Sequence, residues 1–196
     1  DGFESGGSSV SQATTEIWGD DDPSNGIPPG FTTDLLSASD VIRLENAVPT
    51  TPLPTSTDYF RGGDRIVATA PVAVIRALYP ETPGAVNAGD VEVFPVEAWG
   101  TYYELPIGEN VASGNNSFQM VVPFITASQN FTTINIDTNG DGTVDIAQEL
   151  SQGQTYSVPL ATAVNVGATI TSNRPVQGHG ATGQLNSSYE ARFFAI

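Results

Sequence analysis

Short β-rich segments, each bounded by turn residues, set the strongest limit on the fold of this chain. They are rich in β-branched and aromatic residues, and several of them alternate apolar with polar positions. Clusters of Gly, Pro, Asn and Asp separate them, and no long helical period is present. The segments are 64–79, 90–99, 101–107, 118–127, 131–136, 154–160, 167–172 and 189–196. We therefore predict an all-β fold, a β-sandwich built from antiparallel strands.

Prolines lie inside or beside several of these predicted strands. Because proline has no N–H to donate to a ladder, each should mark an edge, a strand start or a bulge. Such prolines also discourage edge-to-edge aggregation. They are Pro71, Pro95, Pro106, Pro123, Pro159 and Pro175.

The chain divides, on composition, into residues 1–30 and a β-sandwich domain of residues 31–196. Gly, Ser, Asp and Pro dominate residues 1–30, where the apolar-alternating patch is 10–18. Two interpretations stay open: a loose tail, or an extended arm that adds a strand to its own sheet or to a neighbouring subunit. A faint internal similarity also predicts two pseudo-repeated β units, at about 33–107 and 131–196.

The charge balance narrows the class of partner. The chain carries 22 acidic and six basic residues, a net charge of −16 at pH 7, and no cysteine. A surface this negative repels phosphate backbones and anionic lipid, so we expect no nucleic-acid partner and no membrane insertion. The lack of cysteine excludes disulfides, thiolate metal sites and a cysteine nucleophile.

The stretch "DTNGDGTVD" has the spacing of a calcium loop. Gly142 stands where such a loop turns sharply, but Gln148 occupies the position of the bidentate glutamate of an EF-hand. Since both flanks resemble strands, we predict a Ca²⁺ site in a loop between two strands. A simple Asn-Gly or Asp-Gly hairpin turn is the alternative. Oxygen ligands fall on alternate positions, at Asp137, Asn139, Asp141, Thr143 and Asp145.

A second acidic stretch, "GDDDPSNG", is a weaker candidate for a metal site. Consecutive acids point in different directions in an extended chain, so a solvated acidic loop is the favoured interpretation. The candidate ligands, with help from Glu16, are Asp20, Asp21, Asp22 and Asn25.

Catalytic signatures are scarce. The single histidine, His179, lies between glycines, which is more typical of a turn residue than of a general base. No Gly-x-Ser-x-Gly, Ser-x-x-Lys or His-Glu-x-x-His motif occurs, and the chain has no lysine for a Schiff base. A glycosidase with two catalytic carboxylates would have to use glutamates of this chain. Their spacing, however, is also what an exposed strand face produces. They are Glu92, Glu97, Glu104 and Glu109.

Several aromatic residues suggest a carbohydrate-binding module as the alternative function, although core packing is the simpler explanation for them. They are Trp18, Tyr79, Trp99, Tyr102 and Tyr103. N-glycosylation sequons, of weak predictive value in a chain rich in Asn, Ser and Thr, occur at Asn115, Asn130 and Asn186.

Several motifs together resemble a known family. They are an "I-x-[ST]-x-x-P-V" strand, a "WGT-x-Y" strand start and a "D-x-[ND]-G-[DN]-G" turn. Over residues 16–196 the chain is similar to secreted and surface β-module proteins of bacteria and archaea that resemble the N-terminal domain of IgGFc-binding proteins. The resemblance implies a non-catalytic extracellular β protein, with no catalytic residues to carry over. The sequence departs from the relatives at the glycine-rich "PVQGHGATG", which puts burial of that strand in question.

These observations lead to one functional prediction. The chain is a secreted, calcium-stabilised β protein with a structural or adhesive role, in a surface layer, matrix or extracellular filament. Its expected partners are further copies of itself or other extracellular surface proteins, with glycans as the alternative.

Overall fold

The computed structural model describes residues 15–17, 38–39, 41, 65–68, 70–78, 86–87, 89–111, 118–184 and 189–196. The chain forms two compact units, Asp1–Val72 and Ala73–Ile196. Much of the first predicted pseudo-repeat and nearly all of residues 1–30 lie outside the described residues, so the arm and the duplication stay predictions.

In the unit Asp1–Val72, two short strands pair in parallel. Strand β1 (Thr15–Ile17) lies beside β2 (Arg65–Val67), with Thr15 opposite Arg65 and Ile17 opposite Val67. β1 falls inside the apolar-alternating patch at 10–18.

In the unit Ala73–Ile196, strands are nearly all of the regular secondary structure that is described, which confirms the all-β prediction. One 3₁₀ turn, Val96–Ala98, interrupts the strand predicted over 90–99. Pro95 precedes this turn and its carbonyl oxygen accepts from the Ala98 N–H at 2.8 Å, so that half of the strand prediction is wrong. The strands are β3 (Ile75–Leu78), β4 (Val86–Asn87), β5 (Gly89–Glu92), β6 (Gly100–Glu104), β7 (Met120–Ala127), β8 (Thr132–Asp137), β9 (Ile146–Leu150), β10 (Thr155–Ser157), β11 (Thr169–Gly183) and β12 (Tyr189–Ala195).

Strand β11 is the central strand of this unit, because four other strands pair with it. Its first part pairs with β8 and β6, and its second part pairs with β7 and β12, all antiparallel. Outside these, β9 pairs with β8 and β10 with β7, while β4 joins β12 in parallel. β3 and β5 form a separate antiparallel pair. The strand predicted over 167–172 therefore continues to Gly183.

The ladder along β11 is interrupted at one place, which we call the joint: residues 128–131 between β7 and β8, facing residues 172–175 of β11. The Asn173 Oδ1 accepts from the Thr133 N–H at 2.8 Å, and its Nδ2 donates to the Phe131 carbonyl at 3.3 Å. The Ser128 N–H donates to the Pro175 carbonyl at 3.2 Å. The β6–β11 register shifts across the same residues, so Pro175 marks a bulge, as predicted.

The core lies on one face of this sheet. Its largest fully buried side chains include Leu105, Ile125, Ile134, Ile136 and Ile170. The glycine-rich part of β11 is buried with them, so the question that its composition raised is answered in favour of burial. Side chains of β12 occupy the space next to these glycines. A Cβ on Gly180, for example, would lie 2.0 Å from Phe194 Cζ.

Candidate functional site: an acidic loop at one end of the sheet

The predicted ligand residues occur together where β8 ends and β9 begins. β8 ends at Asp137, β9 begins at Ile146, and residues 138–145 connect them. The two strands pair in antiparallel register, with Ile136 opposite Ile146. This stretch, Asp137–Asp145, is called the acidic loop below. It is longer than a two-residue hairpin turn, and strands rather than helices flank it, as the sequence indicated.

Asp137 organises the loop from inside. Its side chain is only 6% exposed. Its Oδ1 accepts backbone N–H groups from Asn139 at 3.2 Å, Gly140 at 2.7 Å and Asp141 at 3.3 Å, and its Oδ2 accepts from Gly142 at 2.7 Å. A carboxylate that accepts hydrogen bonds from several backbone amides stabilises the local conformation strongly, because each bond is charge-assisted.

The middle of the loop repeats this pattern on a smaller scale. The Asn139 Oδ1 accepts from the Asp141 N–H at 2.9 Å, and the Asp141 Oδ1 accepts from the Thr143 N–H at 2.8 Å. The Asn139 Nδ2 donates to the Asp141 Oδ2 at 3.1 Å. Gly140 and Gly142 have φ values of +76° and +86°, which favour glycine. The alternate spacing of the acids therefore produces consecutive side-chain-to-backbone turns.

Asp145 closes the base of the loop. Its Oδ2 accepts from the Thr138 N–H at 2.8 Å and from the Thr138 hydroxyl at 2.6 Å. The Asp145 N–H donates to the Ile136 carbonyl at 2.9 Å, which continues the β8–β9 ladder. Thr138 is buried, and its role was missed because a threonine between an aspartate and an asparagine carries no distinctive sequence signal.

Two neighbouring loops support the acidic loop. The Asn165 N–H donates to the Thr138 carbonyl at 2.8 Å, and the Glu109 N–H donates to the Val164 carbonyl at 2.7 Å. A Cβ on Gly140 would lie 2.7 Å from the Gly167 carbonyl oxygen. These contacts join residues far apart in the sequence, so local spacing could not predict them.

The acids of the loop are held in their charged form. Partial burial alone would raise the pKa of Asp137, but the backbone hydrogen bonds from Gly142, Gly140, Asn139 and Asp141 outweigh it and lower that pKa. The pKa of Asp141 is lowered chiefly by the Thr143 backbone N–H, with help from the Thr143 and Asn139 side chains. Both carboxylates are therefore anionic at neutral pH, as a cation ligand must be.

The donor set of the loop suits a hard cation only if neutral oxygens join the carboxylates. Within the described ranges, no group of three or more His, Cys, Asp or Glu side chains is arranged to hold a metal ion. A Ca²⁺ ion would have to draw on the Asn139 amide oxygen, Thr143 and backbone carbonyls as well as the exposed Asp141. Each carboxylate oxygen has two lone pairs, and the Asp137 Oδ1 and Asp145 Oδ2 already accept three and two hydrogen bonds. Capacity for a cation therefore remains on the Asp137 Oδ2 and on the two oxygens of Asp141, which accept one bond each.

Other residues singled out in the sequence lie elsewhere. The second candidate metal site, Asp20 to Asn25, lies outside the described residues. His179 is not in a turn, because it lies within β11. The four glutamates occupy different elements: Glu92 on β5, Glu97 in the 3₁₀ turn, Glu104 on β6, and Glu109, whose Oε1 accepts from the Val121 N–H at 3.1 Å.

The aromatic residues proposed as a sugar platform have structural partners. Trp99 donates its indole N–H to the Phe94 carbonyl at 2.8 Å. The Tyr103 hydroxyl donates to the Val176 carbonyl and accepts from the Gly100 N–H at 2.8 Å, while its ring packs on the core. Tyr102, in contrast, is 58% exposed. Trp18 and Tyr79 lie outside the described residues.

The fold and these motifs define a class of protein: an all-β module whose sequence motifs build turns and bulges. "WGT-x-Y" places Tyr103 against β11, and "ITSNRPV" supplies the Asn173 and Pro175 of the joint.

The chain belongs to the IgGFc binding protein family, whose profile matches residues 24–192. No curated protein and no solved structure matches the chain. Family membership indicates an extracellular β protein with a binding or structural, non-enzymatic role. In the described part of the chain, no helix is long and apolar enough to cross a membrane.

Proposed function

We propose that this chain is a non-catalytic structural or adhesive module of the extracellular space, stabilised by Ca²⁺ bound at the acidic loop. The observation that carries the proposal is the arrangement of the loop itself. Asp137 gathers four backbone amides, and this holds Asn139 and Asp141 at the exposed tip. A loop preorganised in this way needs little reordering when a cation binds.

Calcium would replace the covalent cross-links that the chain lacks. The sequence has no cysteine, so no disulfide can hold this end of the sheet. A ligand that binds only the folded state adds RT ln(1+[L]/Kd) to the free energy of unfolding, about 2.7 kcal/mol at 100 Kd. The extracellular space supplies Ca²⁺ at levels suited to weak sites, with Kd of about 0.1–1 mM.

Thermal unfolding with excess Ca²⁺ and with EGTA tests this proposal. We expect a higher Tm with Ca²⁺ for the natural sequence and a smaller difference for Asp141→Asn, which keeps an acceptor oxygen but loses the charge. Glu149→Gln on β9 is the matched control, because it removes one exposed acid outside the loop. Identical melting curves in Ca²⁺ and EGTA would contradict the proposal. So would equal losses in the two variants, since these would indicate a net-charge effect.

The binding role rests on assembly with copies of the same chain or with other extracellular surface proteins. The N-terminal segment is the proposed linker, by addition of a strand to a neighbour. We expect deletion of residues 1–30 to abolish oligomers, measured by light scattering, while the far-UV circular dichroism of the β domain persists. A truncated protein that assembles normally would remove the arm from the proposal, and saturable binding on a glycan array would favour the carbohydrate alternative.

A further inference from the structure

His179 lies on the face of β11 that points away from the core. Val176 is part of the core cluster, so the alternate residues Gln177, His179 and Ala181 point to the opposite face. On β7, Phe124 stands opposite His179 and Thr126 opposite Gln177.

The β3–β5 pair adjoins this part of the sheet through β12. β5 packs against β12, whose Ala195 stands opposite His179. The imidazole hydrogen-bonds to the backbone carbonyl of Glu92 on β5. Within the described residues the His179 Nε2 has no hydrogen-bond partner, so the nitrogen that donates to the Glu92 carbonyl is Nδ1. At neutral pH the ring is therefore the Nδ1–H tautomer, with the Nε2 lone pair facing the protein.

The surroundings of the His179 Nε2 favour the unprotonated nitrogen over the protonated one. Gln177, two residues away on the same face, is only 7% exposed. Its Nε2, which can only donate, has no partner in the part of the chain that the structure describes. Arg76 of β3 places its positive charge near the imidazole. Protonation of His179 would add a buried donor and a second positive charge beside groups that already donate.

The other groups around His179 offer little compensation. On β5, the Asp90 and Glu92 side chains are exposed, and in the β3–β5 register they lie on the face that carries Ile75 and Ala77 rather than Arg76. On β7 and β12, the described neighbours Phe124, Thr126, Phe193 and Ala195 do not titrate. Arg76, which has a further interaction of its own, is the charged group that acts on the ring.

We propose that His179 is a pH-sensitive latch that holds the β3–β5 pair against β11 while its imidazole is neutral and releases the pair when the imidazole is protonated. Release would expose Val91 of β5, whose side chain is buried in the docked state. The latch makes a small apolar surface available only in acid.

The direction of the linkage follows from the environment. Burial lowers the pKa of His179 below its ordinary 6.5, the charge of Arg76 lowers it further, and the Glu92 carbonyl opposes both. The released state has an ordinary pKa, so it binds protons first as pH falls below about 6.5. Docking is fully favoured above that pH and weakens below it, by about tenfold for each unit by which docking lowers the pKa.

The single histidine makes the first test direct, because the imidazole signals in the NMR spectrum of the whole chain belong to one residue. We expect the Nδ1–H tautomer in ¹⁵N chemical shifts and a titration midpoint below 6.5. Arg76→Gln should raise the midpoint, and Arg192→Gln on β12 should leave it unchanged as the charge-matched control. A natural-sequence midpoint at or above 6.5 would overturn the proposal without any variant.

Hydrogen exchange by mass spectrometry tests the release itself. After correction for intrinsic rates, we expect amides of β3 and β5 to exchange several-fold faster at about pH 5 than at about pH 7.5, while β8 and β9 stay protected. His179→Gln should remove this pH dependence, and His179→Asn replaces it if that variant fails to fold. Arg76→Gln, which keeps the imidazole, should reduce the pH dependence without removing it. A His179 titration midpoint below 6.5 with unchanged exchange in β3 and β5 would show that His179 is a buried histidine without a latch function. That result would contradict the proposal.

Discussion

The acidic loop and the joint solve the same problem with different chemistry. Each must satisfy backbone groups where the ladder stops. The joint uses neutral groups, with Asn173 bonded to the N–H of Thr133 and to the carbonyl of Phe131. The acidic loop uses ionised Asp137 and Asp145 to accept N–H groups. The difference teaches that the loop carries charge first for its own folding, and that a cation would bind to a scaffold already held by its acids.

The largest effect on stability is expected at Gly108, which lies in one of the neighbouring loops that support the acidic loop. A Cβ on Gly108 would lie 1.9 Å from the backbone nitrogen of Val166, so Gly108→Ala must displace a backbone segment. We expect a loss of about 3 kcal/mol in the free energy of unfolding, at the upper end for overpacking. Urea unfolding measures it; a loss below about 1 kcal/mol would show that the neighbouring loops move freely and give the acidic loop no support.

At the joint, Asn173→Ala should have a smaller effect. The change removes one acceptor and one donor at an exposed position, which corresponds to about 1–2 kcal/mol. Because both bonds are neutral, the loss should be the same with Ca²⁺ and with EGTA. A Ca²⁺-dependent loss would mean that the two regions are coupled and would break the comparison.

Gly142→Ala separates backbone conformation from steric contact in the acidic loop. A Cβ there would meet no described residue within 4 Å, so the cost comes from the φ of +86°. We expect a loss of about 1 kcal/mol, below that of Gly108→Ala. A gain in stability in the same urea experiment would show that the loop adopts a different conformation in solution.

Acid should loosen the acidic loop and spare the joint, with the smallest change in global stability. The pKa values of Asp137 and Asp141 lie below the ordinary 3.8, so the stability they contribute is present above 3.8 and is lost as pH falls through their folded values. Amides of residues 139–143 should then exchange faster at about pH 3 than at about pH 5, relative to residues 128–131. Equal acceleration in both regions would mean global acid unfolding instead.

The sequence predicted the all-β class and the position of the acidic loop between two strands, because both depend on local patterns. The alternation in 131–136 and the acids of "DTNGDGTVD" each lie within one or two elements. The length of β11 was not predicted, because "SNRPVQGHGATG" reads as turn residues. The glycines are accommodated in a strand by Ile196 and Phe194, which lie on β12 or just beyond it. Such tertiary compensation has no local signal.

The structural role of Asp137 and Asp145 was missed for a related reason. Their spacing predicts ligands, and a cation and a backbone N–H both seek the same oxygens. Only the positive φ of Gly140 and the contacts of Thr138 distinguish the two uses, and both depend on the folded loop.

The most direct test of the account is a Ca²⁺ titration followed by ¹H–¹⁵N correlation NMR. We predict saturable shifts of the Gly140 and Gly142 amides below about 10 mM Ca²⁺, tenfold above the weakest extracellular sites, with no shift in residues 172–175. Unchanged Gly140 and Gly142 amides at that concentration would contradict the account, and the acidic loop would then be a turn held by its own carboxylates alone.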